Sequence, residues 1–296
     1  SAVFGGVKVH LDGNEIGSDL AVILIQDSLL VDEGKKPSEM EREDVYTFHT
    51  NLTDIDLVRR GMKPKTKLFG AYLRDRWSNC SDTVYCKLSP LEEYELPRTG
   101  VWKIVTLPGD ETEVLNNSYS YYAHDHLFDG GWANKGAMGF NKGKRDRWIT
   151  VDMTYVASFS RHRLMQRSNV TTVDTDWNPW HWQIWGSMDP NPDGSWDDSW
   201  YLLGDFTQYK PSGILPDGSG YGTFTPEDTE WIRNINEYEF QVTEQIPDPY
   251  RLCRYIRLRL LDNYTSAFTV YDEEPNNVGY MVGELILYGS QEETTE

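Results

Sequence analysis

Residues 255–260 read YIRLRL, a stretch in which polar and apolar side chains alternate without a break. Successive side chains of a β-strand point to opposite faces, so Ile256, Leu258 and Leu260 share one face and the tyrosine and arginines the other. An alternation of this kind is typical of a sheet that packs on a core by one face. The stretch therefore predicts a strand of a β-sandwich near the end of the chain.

Other parts of the C-terminal two-thirds have the same strand character. The segments are residues 148–152 (WITVD), 159–164 (FSRHRL), 182–187 (WQIWGS) and 284–288 (ELILY). One helix is predicted, with Thr225 as its N-cap, Pro226 at its first position and its end near Asn236. Helix is scarce elsewhere, so the predicted fold class is all-β.

The first 100 residues show the strand pattern on a smaller scale. Residues 7–11 alternate before an Asp-Gly turn, and residues 20–25 form a continuous apolar run. Residues 69–73 and 84–88 flank a polar turn and predict a hairpin. Together these segments are typical of a small immunoglobulin-like sandwich.

Prolines and glycines are frequent around residues 95–110, and the alternating strand pattern is interrupted there. Domain boundaries commonly fall in such segments. We predict an immunoglobulin-like β-sandwich over residues 1–100 and a larger β-sandwich over residues 101–296.

Composition restricts the classes of partner. The chain has 28 Lys and Arg against 47 Asp and Glu, a formal net charge of −19. It should therefore repel the phosphates of nucleic acids and anionic membrane surfaces. No apolar run reaches the roughly 18 residues that a membrane-spanning helix needs. The 11 Trp and 18 Tyr favour flat contact surfaces, although aromatic residues also fill strands. No nucleic acid is expected, and neutral ligands such as uncharged sugars are compatible with this charge.

Three cysteines are too few for a disulfide scaffold. Cys80 and Cys86 flank a predicted turn, and whether they pair is left open. Cys86 has the same strand parity as Val84 and Leu88, which favours a buried thiol on a core face.

Six pieces of sequence between residues 111 and 290 occur in the order found in one family of β-sandwiches. They are residues 127–132 (LFDGGW), 148–152 (WITVD), 159–167 (FSRHRLMQR), 182–190 (WQIWGSMDP), 254–258 (RYIRL) and 284–289 (ELILYG). In this order they resemble the discoidin family, also called coagulation factor five/eight type C. The resemblance implies a galactose-binding-like jelly-roll sandwich.

Two longer stretches narrow the resemblance. They resemble a subgroup of Bacteroidetes surface lipoproteins from polysaccharide-utilisation loci. The first stretch is residues 182–206 together with residues 164–167 (LMQR), and the second is residues 67–84. In that subgroup an immunoglobulin-like module precedes a discoidin-like one. The resemblance implies a soluble fragment of a protein that is lipid-anchored at the cell surface or outer membrane. It implies glycan as the ligand and neighbouring surface proteins as further partners.

Sugar binding needs an aromatic platform for the C–H face of a pyranose, and planar hydrogen-bonding groups for its hydroxyls. Two stretches combine both chemistries, residues 129–134 and residues 167–181. The candidate ligand-binding residues in them are Trp132, Asn134, Arg167, Trp177, Asn178, Trp180 and His181.

The resemblance points to two of these residues in particular. In sugar-binding members of the family, the arginine that closes a strand and an asparagine after it often contact ligand, and these map onto Arg167 and Asn178. The alternatives remain that Trp132 and Trp180 cap the sandwich core and that Arg167 is a structural ion-pair partner.

The resemblance also implies a calcium ion that braces the early loop, held by oxygen ligands at about 2.3–2.6 Å. Asp129 and Glu284 occupy the positions from which ligands would come. The second acidic residue and threonine usual in the family are replaced by residues 131–133 (GWA). The alternative is a turn-capping Asp129 and a solvent-facing Glu284.

His124 and His126 flank Asp125, and on a strand the two imidazoles would face one way. No third His or Cys is placed near them, so zinc is not predicted.

Catalytic signatures are absent from the sequence, which has no GxSxG, no P-loop and no dinucleotide fingerprint. The acidic pairs at 197–198 and 273–274 are adjacent in sequence and are not arranged across a cleft as a glycosidase pair must be. We predict a non-catalytic carbohydrate-binding protein that captures glycan for a polysaccharide-utilisation system. The alternative is a structural or protein-interaction scaffold module of a surface lipoprotein, and an enzyme is the third hypothesis.

Overall fold

A computed structural model of the chain describes residues 1–12, 20–27, 44–50, 55–131, 136–167, 177–213, 225–264 and 278–292. The chain divides into two compact units, Ser1–Tyr94 (unit 1) and Glu95–Glu296 (unit 2). Strands predominate in both units, which confirms the predicted all-β class. Within the described ranges, no helix is long and apolar enough to cross a membrane.

Unit 1 contains two antiparallel sheets. Its strands are β1 (Ala2–Val3), β2 (Gly6–Leu11), β3 (Leu20–Asp27), β4 (Asp44–Thr50), β5 (Ile55–Arg60), β6 (Lys67–Asp75) and β7 (Val84–Leu88). One sheet has the order β1-β2-β5 and the other the order β4-β3-β6-β7. Val7 and Phe69, one from each sheet, are buried together with Val9, Phe48 and Leu88 packed against them. The shared core makes unit 1 a small sandwich.

The predicted hairpin of unit 1 is present, but its second strand is not buried as expected. β6 and β7 pair antiparallel, with Phe69 opposite Cys86. Cys86 and Val84 are nevertheless exposed, and Cys80 and Cys86 are both free thiols. The prediction of a buried Cys86 is therefore wrong. β7 lies at the edge of its sheet, and strand parity alone does not tell whether anything covers the face of an edge strand.

Unit 2 is built from longer strands. They are β8 (Tyr94–Glu95), which spans the division between the units, β9 (Lys103–Val105), β10 (Met138–Gly143), β11 (Arg147–Gln166), β12 (Pro179–Ser187), β13 (Tyr201–Thr207), β14 (Tyr238–Glu239), β15 (Cys253–Asn263) and β16 (Val278–Gln291). The principal strand order is β10-β16-β11-β15-β12-β13. Short helical segments lie at Leu115–Asn117 (3-10), Tyr119–Tyr122 (α1), His124–Phe128 (3-10), Pro226–Glu230 (α2) and Trp231–Ile235 (π).

One long strand belongs to both layers of unit 2. β11 pairs with β15 over residues 147–157 and with β16 over residues 157–166. The register breaks between these halves, where Thr154 has a φ of +69° and its N–H donates to Asp152 Oδ1 at 2.7 Å. The segments 148–152 and 159–164, predicted as separate strands, are thus two halves of one strand that turns a corner.

The core of unit 2 follows the alternation that the sequence shows. Ile256, Leu258 and Leu260 are buried, and Trp182 of β12 packs across the core from the second half of β11. The indole N–H of Trp182 donates to His162 Nε2 at 3.1 Å. A ring of aromatic side chains closes around this pair, made of Phe206, Tyr238 and Phe240.

The polar face of β15 is not uniformly exposed. Arg257 is fully buried, although its strand parity places it outside the core. Its Cζ lies 4.6 Å from the ring centroid of Trp196 and 4.2 Å from that of Trp200. Its Nη2 donates to Gly194 O at 3.0 Å and lies 3.7 Å from Asp110 Oδ1. The segment between β12 and β13 therefore folds over the outer face of the sheet and uses a buried cation as its attachment point.

The predicted helix is confirmed. Thr225 Oγ1 accepts from the N–H of Asp228 at 3.1 Å, and Asp228 Oδ2 accepts from the N–H of Thr225 at 2.9 Å. This is a reciprocal capping box with Pro226 in the first turn. The helical segment ends at Ile235 with Asn236 as its C-cap.

The buried imidazole of the core makes stability depend on pH. Burial lowers the pKa of His162 to about 3, whereas the unfolded chain binds that proton near pH 6.5. Above pH 6.5 His162 is neutral in both states and does not oppose folding. As the pH falls below 6.5, the unfolded chain binds the proton first, and the free energy of unfolding decreases by about 1.4 kcal/mol per pH unit. Between pH 6.5 and 5, His162 alone should lower the free energy of unfolding by about 2 kcal/mol. Urea titrations followed by fluorescence at stepped pH measure this, and His162→Gln should remove that part of the slope.

His181 supplies the matched control. Its hydrogen bond to Asp205 raises the pKa of His181, so protonation of His181 favours the folded state. His181→Gln should therefore steepen the loss of stability on acidification. An unchanged pH slope in His162→Gln would contradict a neutral imidazole in the core.

Candidate functional site

The predicted ligand residues fall into three sets. Trp132 and Asn134 lie outside the described residues. Arg167, Trp177 and Asn178 lie together at the end of β11 and the approach to β12. Trp180 and His181 lie further along, within β12.

Asn178 has a structural role. It is fully buried, and its Oδ1 accepts from the N–H of Arg167 at 3.1 Å while its Nδ2 donates to Arg167 O at 3.5 Å. Its own carbonyl accepts from the N–H of Tyr264 at 3.3 Å. Both polar groups of the Arg167 main chain are thus satisfied by one carboxamide, which fixes the backbone from which the arginine side chain extends.

The guanidinium of Arg167 lies beside two tyrosines that the sequence analysis did not select. Its Cζ is 5.8 Å from the ring centroids of both Tyr121 and Tyr122. These rings contact each other edge to face at 4.9 Å, and Tyr121 is 43% exposed. Both belong to α1, whose sequence is Tyr-Ser-Tyr-Tyr. This concentration of tyrosines is the feature of the sequence that could have indicated an aromatic site. A distance of about 6 Å is within the range of a cation–π contact.

Close backbone packing holds α1 in this position. The N–H of Ala137 donates to Tyr121 O at 2.9 Å. At Gly136 an added Cβ would lie 2.3 Å from that same oxygen, so a side chain there would displace the helix. Glycine at 136 therefore allows α1 to sit against the start of β10.

Trp177 is half-buried and lies flat against β16. A Cβ at Gly279 would fall 2.3 Å from two atoms of the indole ring, so the ring rests on the glycine backbone. The N–H of Met281 donates to Trp177 O at 2.9 Å. The indole is thus fixed by its support.

We call Tyr121, Tyr122 and Arg167 the tyrosine–arginine cluster. It offers aromatic surface, phenolic hydroxyls and a planar guanidinium within one small region. Aromatic faces pack against the C–H bonds of a sugar ring, and the guanidinium and phenols hydrogen-bond to hydroxyls. The cluster has the two chemistries that neutral carbohydrate needs.

Trp180 and His181 are engaged elsewhere. Trp180 contacts the exposed Tyr209 edge to face at 6.2 Å. His181 Nε2 pairs with Asp205 Oδ1 at 2.7 Å, and Asp205 Oδ2 accepts from Gln183 Nε2 at 2.6 Å. These bonds place His181 in a polar row on the outer face of the sheet, away from the aromatic core. The structure does not place these two residues in the cluster, and their role in binding stays a prediction.

The two carboxylates predicted as calcium ligands have protein donors. Glu284 is 1% exposed, and its Oε1 accepts from Arg98 Nε at 2.7 Å and from the N–H of Gly130 at 3.0 Å. Asp129 Oδ2 pairs with His126 Nδ1 at 2.7 Å, and its Oδ1 caps the N–H of Gly131 at 2.8 Å. The alternative of a solvent-facing Glu284 is wrong, whereas a turn-capping Asp129 agrees with the structure. A guanidinium beside Glu284 disfavours a divalent cation there.

The two histidines near this loop do not lie on a strand. His124 and His126 belong to the 3-10 helix His124–Phe128, so they do not face one way as strand residues would. Within the described ranges, no group of three His, Cys, Asp or Glu side chains is arranged to hold a metal ion.

The calcium prediction has a direct thermal test. Because Arg98 already neutralises Glu284, we expect the melting temperature of the chain to be the same in excess CaCl2 and in excess EDTA. An ion that bound the folded chain would raise it, by several degrees for each kcal/mol of linkage. Arg98→Ala is the informative variant, since removal of the guanidinium frees Glu284. A calcium-dependent rise of about 4 °C or more in the unchanged chain would show that the ion displaces these donors.

Comparison with solved structures gives a match over nearly the whole length. The SusE-like protein BT2857 is 24% identical, and the match covers 98% of this chain and 95% of that chain with a TM-score of 0.53. An F5/8 type C domain from Bacteroides fragilis matches at 11% identity over 68% of this chain and 98% of that chain, with a TM-score of 0.39. The fucolectin of striped bass (Morone saxatilis) matches at 10% identity over 95% of this chain and 78% of that chain, with a TM-score of 0.36.

These likenesses are likenesses of fold. The similar structures include a SusE-like protein and an F5/8 type C domain, in agreement with the predicted resemblance. No curated protein sequence matches the chain. A family model described as a domain of unknown function (DUF5126) matches residues 1–99. A second model, DUF5000, also a domain of unknown function, matches residues 125–289, more than half of the chain. The chain therefore belongs to the DUF5000 family.

Proposed function

We propose that this chain is a non-catalytic carbohydrate-binding protein that holds neutral glycan at the tyrosine–arginine cluster. The observation that carries the proposal is the position of the Arg167 guanidinium, 5.8 Å from the ring centroids of both Tyr121 and Tyr122. Asn178 fixes the arginine backbone and the close packing at Gly136 fixes α1, so the groups are held before a ligand arrives. Such preorganisation reduces the entropy lost on binding.

Charge supports a neutral ligand. The chain has a formal net charge of −19, so polyanionic glycans would be repelled over most of its surface. Arg167 contributes hydrogen-bond donors in a fixed plane. A neutral polyol can hydrogen-bond to a guanidinium and does not experience the long-range repulsion.

The titration behaviour of the carboxyl groups supports a non-catalytic role. A glycosidase needs a carboxylic acid of raised pKa facing a second carboxylate across a cleft. Among the described carboxyl groups whose pKa departs from its ordinary value, only that of Asp110 is raised, by burial. Its side chain lies under the buried Arg257 rather than in a cleft.

The setting is the second part of the proposal. The full-length match carries the description SusE-like, and the sequence resembles surface lipoproteins of polysaccharide-utilisation loci. We propose that the chain acts at the cell surface, within a lipid-anchored protein, where it captures glycan for such a system beside other surface proteins.

One observation favours the alternative role as an interaction module. β7 lies at the edge of its sheet in unit 1, and Val84 is 73% exposed on it. An edge strand with exposed apolar side chains can pair with a strand of another protein. A stoichiometric partner recovered from the surface proteome by the unchanged chain, but not by Val84→Lys, would favour this role.

Glycan binding should depend on both halves of the cluster. Tyr121→Ala removes the exposed ring, and Arg167→Ala removes the planar donor, so each should weaken binding about tenfold. Arg167→Lys should also weaken binding, because an ammonium keeps the charge but loses the planar fork. A glycan array identifies the ligand, and calorimetry on the best neutral oligosaccharide gives the affinities.

Tyr250→Ala is the matched control. Tyr250 is 41% exposed, a fraction similar to the 43% of Tyr121. It precedes β15, whose first residue Cys253 pairs with Ala157 at the corner of β11. It should bind glycan as the unchanged chain does. Equal affinities for Tyr121→Ala, Arg167→Ala and the unchanged chain would remove the cluster from the account. Absence of binding to any glycan on the array would contradict the function itself.

A further inference from the structure

Two tryptophans lie side by side on the outer face of the sheet of unit 2. Trp185 belongs to β12, and Trp196 belongs to the segment between β12 and β13. Their ring centroids are 5.0 Å apart in an edge-to-face arrangement. Trp196 is 36% exposed, whereas Arg257, on which it packs, is fully buried. The exposed part of this indole therefore lies on the side away from the buried guanidinium, where a ligand can reach it.

The segment that carries Trp196 is fixed by its own hydrogen bonds and by close packing. Asp197 Oδ1 accepts from the N–H of Ser199 at 2.9 Å. Gly194 has a φ of +76°, and a Cβ added there would lie 2.1 Å from Pro108 O. Only glycine allows this backbone conformation and this approach at low cost. The indole is thus held in place before a ligand arrives, which reduces the entropy lost on binding.

Planar polar side chains continue from the indoles along the outer face. Arg259 Cζ lies 5.1 Å from the ring centroid of Trp196, and Arg259 Nη1 donates to Gln183 Oε1 at 3.2 Å. Gln183 Nε2 donates to Asp205 Oδ2 at 2.6 Å, and Asp205 Oδ1 pairs with His181 Nε2 at 2.7 Å. All of these side chains are at least partly exposed. We call the following set the outer-face strip: Trp185, Trp196, Arg259, Gln183, Asp205 and His181.

The outer-face strip keeps hydrogen-bonding capacity for a ligand. Arg259 donates to Asp146 and to Gln183, and a guanidinium carries more N–H donors than these bonds use. Asp205 is exposed, and a carboxylate accepts more hydrogen bonds than His181 and Gln183 supply. A hydroxyl group both donates and accepts, so it can bond to either kind of group.

Charge and apolar content restrict the class of ligand. Arg259 is paired with Asp146 and His181 with Asp205, so the strip offers no net positive charge to an anionic ligand. Trp196 is the single exposed large apolar side chain among the residues of the strip, whereas a protein interface needs an extended apolar centre. A neutral sugar needs one aromatic face and hydrogen bonds to its hydroxyls.

We propose that the outer-face strip is a second binding surface, which takes consecutive units of a neutral glycan chain. One sugar ring packs on Trp196, and the following units hydrogen-bond along the row from Gln183 to His181. Residues 181–185 of β12 span roughly 13 Å at about 3.3 Å per residue. This is longer than one sugar ring, so the strip favours an oligosaccharide. The chemical class of the ligand rests on the proposed function, whereas the strip shares no residue with the tyrosine–arginine cluster.

The test observes the Trp196 indole. The full chain, labelled with nitrogen-15 in tryptophan, is titrated with cellohexaose, mannohexaose and maltohexaose, with the corresponding disaccharides, and with hexagalacturonic acid. Trp196→Phe identifies the resonance of the Trp196 indole N–H. We expect that resonance to move with at least one neutral hexasaccharide and to stay in place with hexagalacturonic acid. The disaccharide should bind about tenfold more weakly than its hexasaccharide, because it leaves part of the strip without contacts.

Two results overturn the proposal. One is a Trp196 indole that stays in place with all three neutral hexasaccharides. The other is hexagalacturonic acid that moves it as readily as a neutral chain does. Equal affinities for a hexasaccharide and its disaccharide contradict an extended site.

Variants test the residues of the strip by calorimetry on the same hexasaccharide. Trp196→Ala should weaken binding at the strip about tenfold. Because that change also uncovers Arg257, Arg259→Lys is the second variant. It keeps a positive charge beside Asp146 and loses the planar fork, so it should weaken the same binding with no change in melting temperature. Trp77→Ala, at a site 63% exposed in unit 1, is the matched aromatic control and should bind as the unchanged chain does.

Failure of the strip and failure of the cluster are distinguishable. If Arg167→Ala removes all glycan binding and the Trp196 indole never moves, the strip is wrong and the cluster stands. If Trp196→Ala removes all binding and Tyr121→Ala removes none, the strip stands and the cluster is wrong. Equal binding by all of these variants contradicts both sites.

Discussion

The architecture of unit 2 depends on one strand that serves two layers. β11 pairs with β15 in its first half and with β16 in its second half, and the change occurs at Thr154, whose left-handed backbone is capped by Asp152. Arg254 binds both oxygens of that carboxylate at 2.9 Å. Beyond the corner β11 pairs with β16 as far as Gln166, and the next residue, Arg167, lies beside the tyrosines of α1.

The aromatic residues of this chain have two physical uses. Trp182 and Trp200 are buried and stabilise the fold, and Trp200 packs on the buried guanidinium of Arg257. Trp196 covers the same guanidinium but is 36% exposed. The cluster relies instead on Tyr121 and Tyr122, whose hydroxyls can stay in water while their rings contact an arginine. Exposed tyrosine tolerates solvent better than exposed tryptophan because it carries its own polar group.

Strand alternation was enough to predict the sandwich strands and the core face of β15, because these depend on local periodicity. The residue types at 225 and 226 were enough to predict the helix cap. Neither was enough for contacts between distant segments. The tyrosines of α1 approach Arg167 from 45 and 46 positions earlier in the sequence. Glu284 accepts a hydrogen bond from Arg98, 186 positions away in the chain. Sequence spacing does not reveal such a contact. Cys86 was misjudged because parity gives the face of a strand and not the presence of a covering layer.

The most direct measurement of the central claim is a crystal structure of the full chain with its best neutral oligosaccharide bound. The account predicts a sugar ring against the face of Tyr121, with a hydroxyl within hydrogen-bonding distance of the Arg167 guanidinium and no change in the Asn178 contacts. A ligand bound only to unit 1, or only over Trp196 on the outer face of the sheet, with the tyrosine–arginine cluster still in solvent, would contradict it.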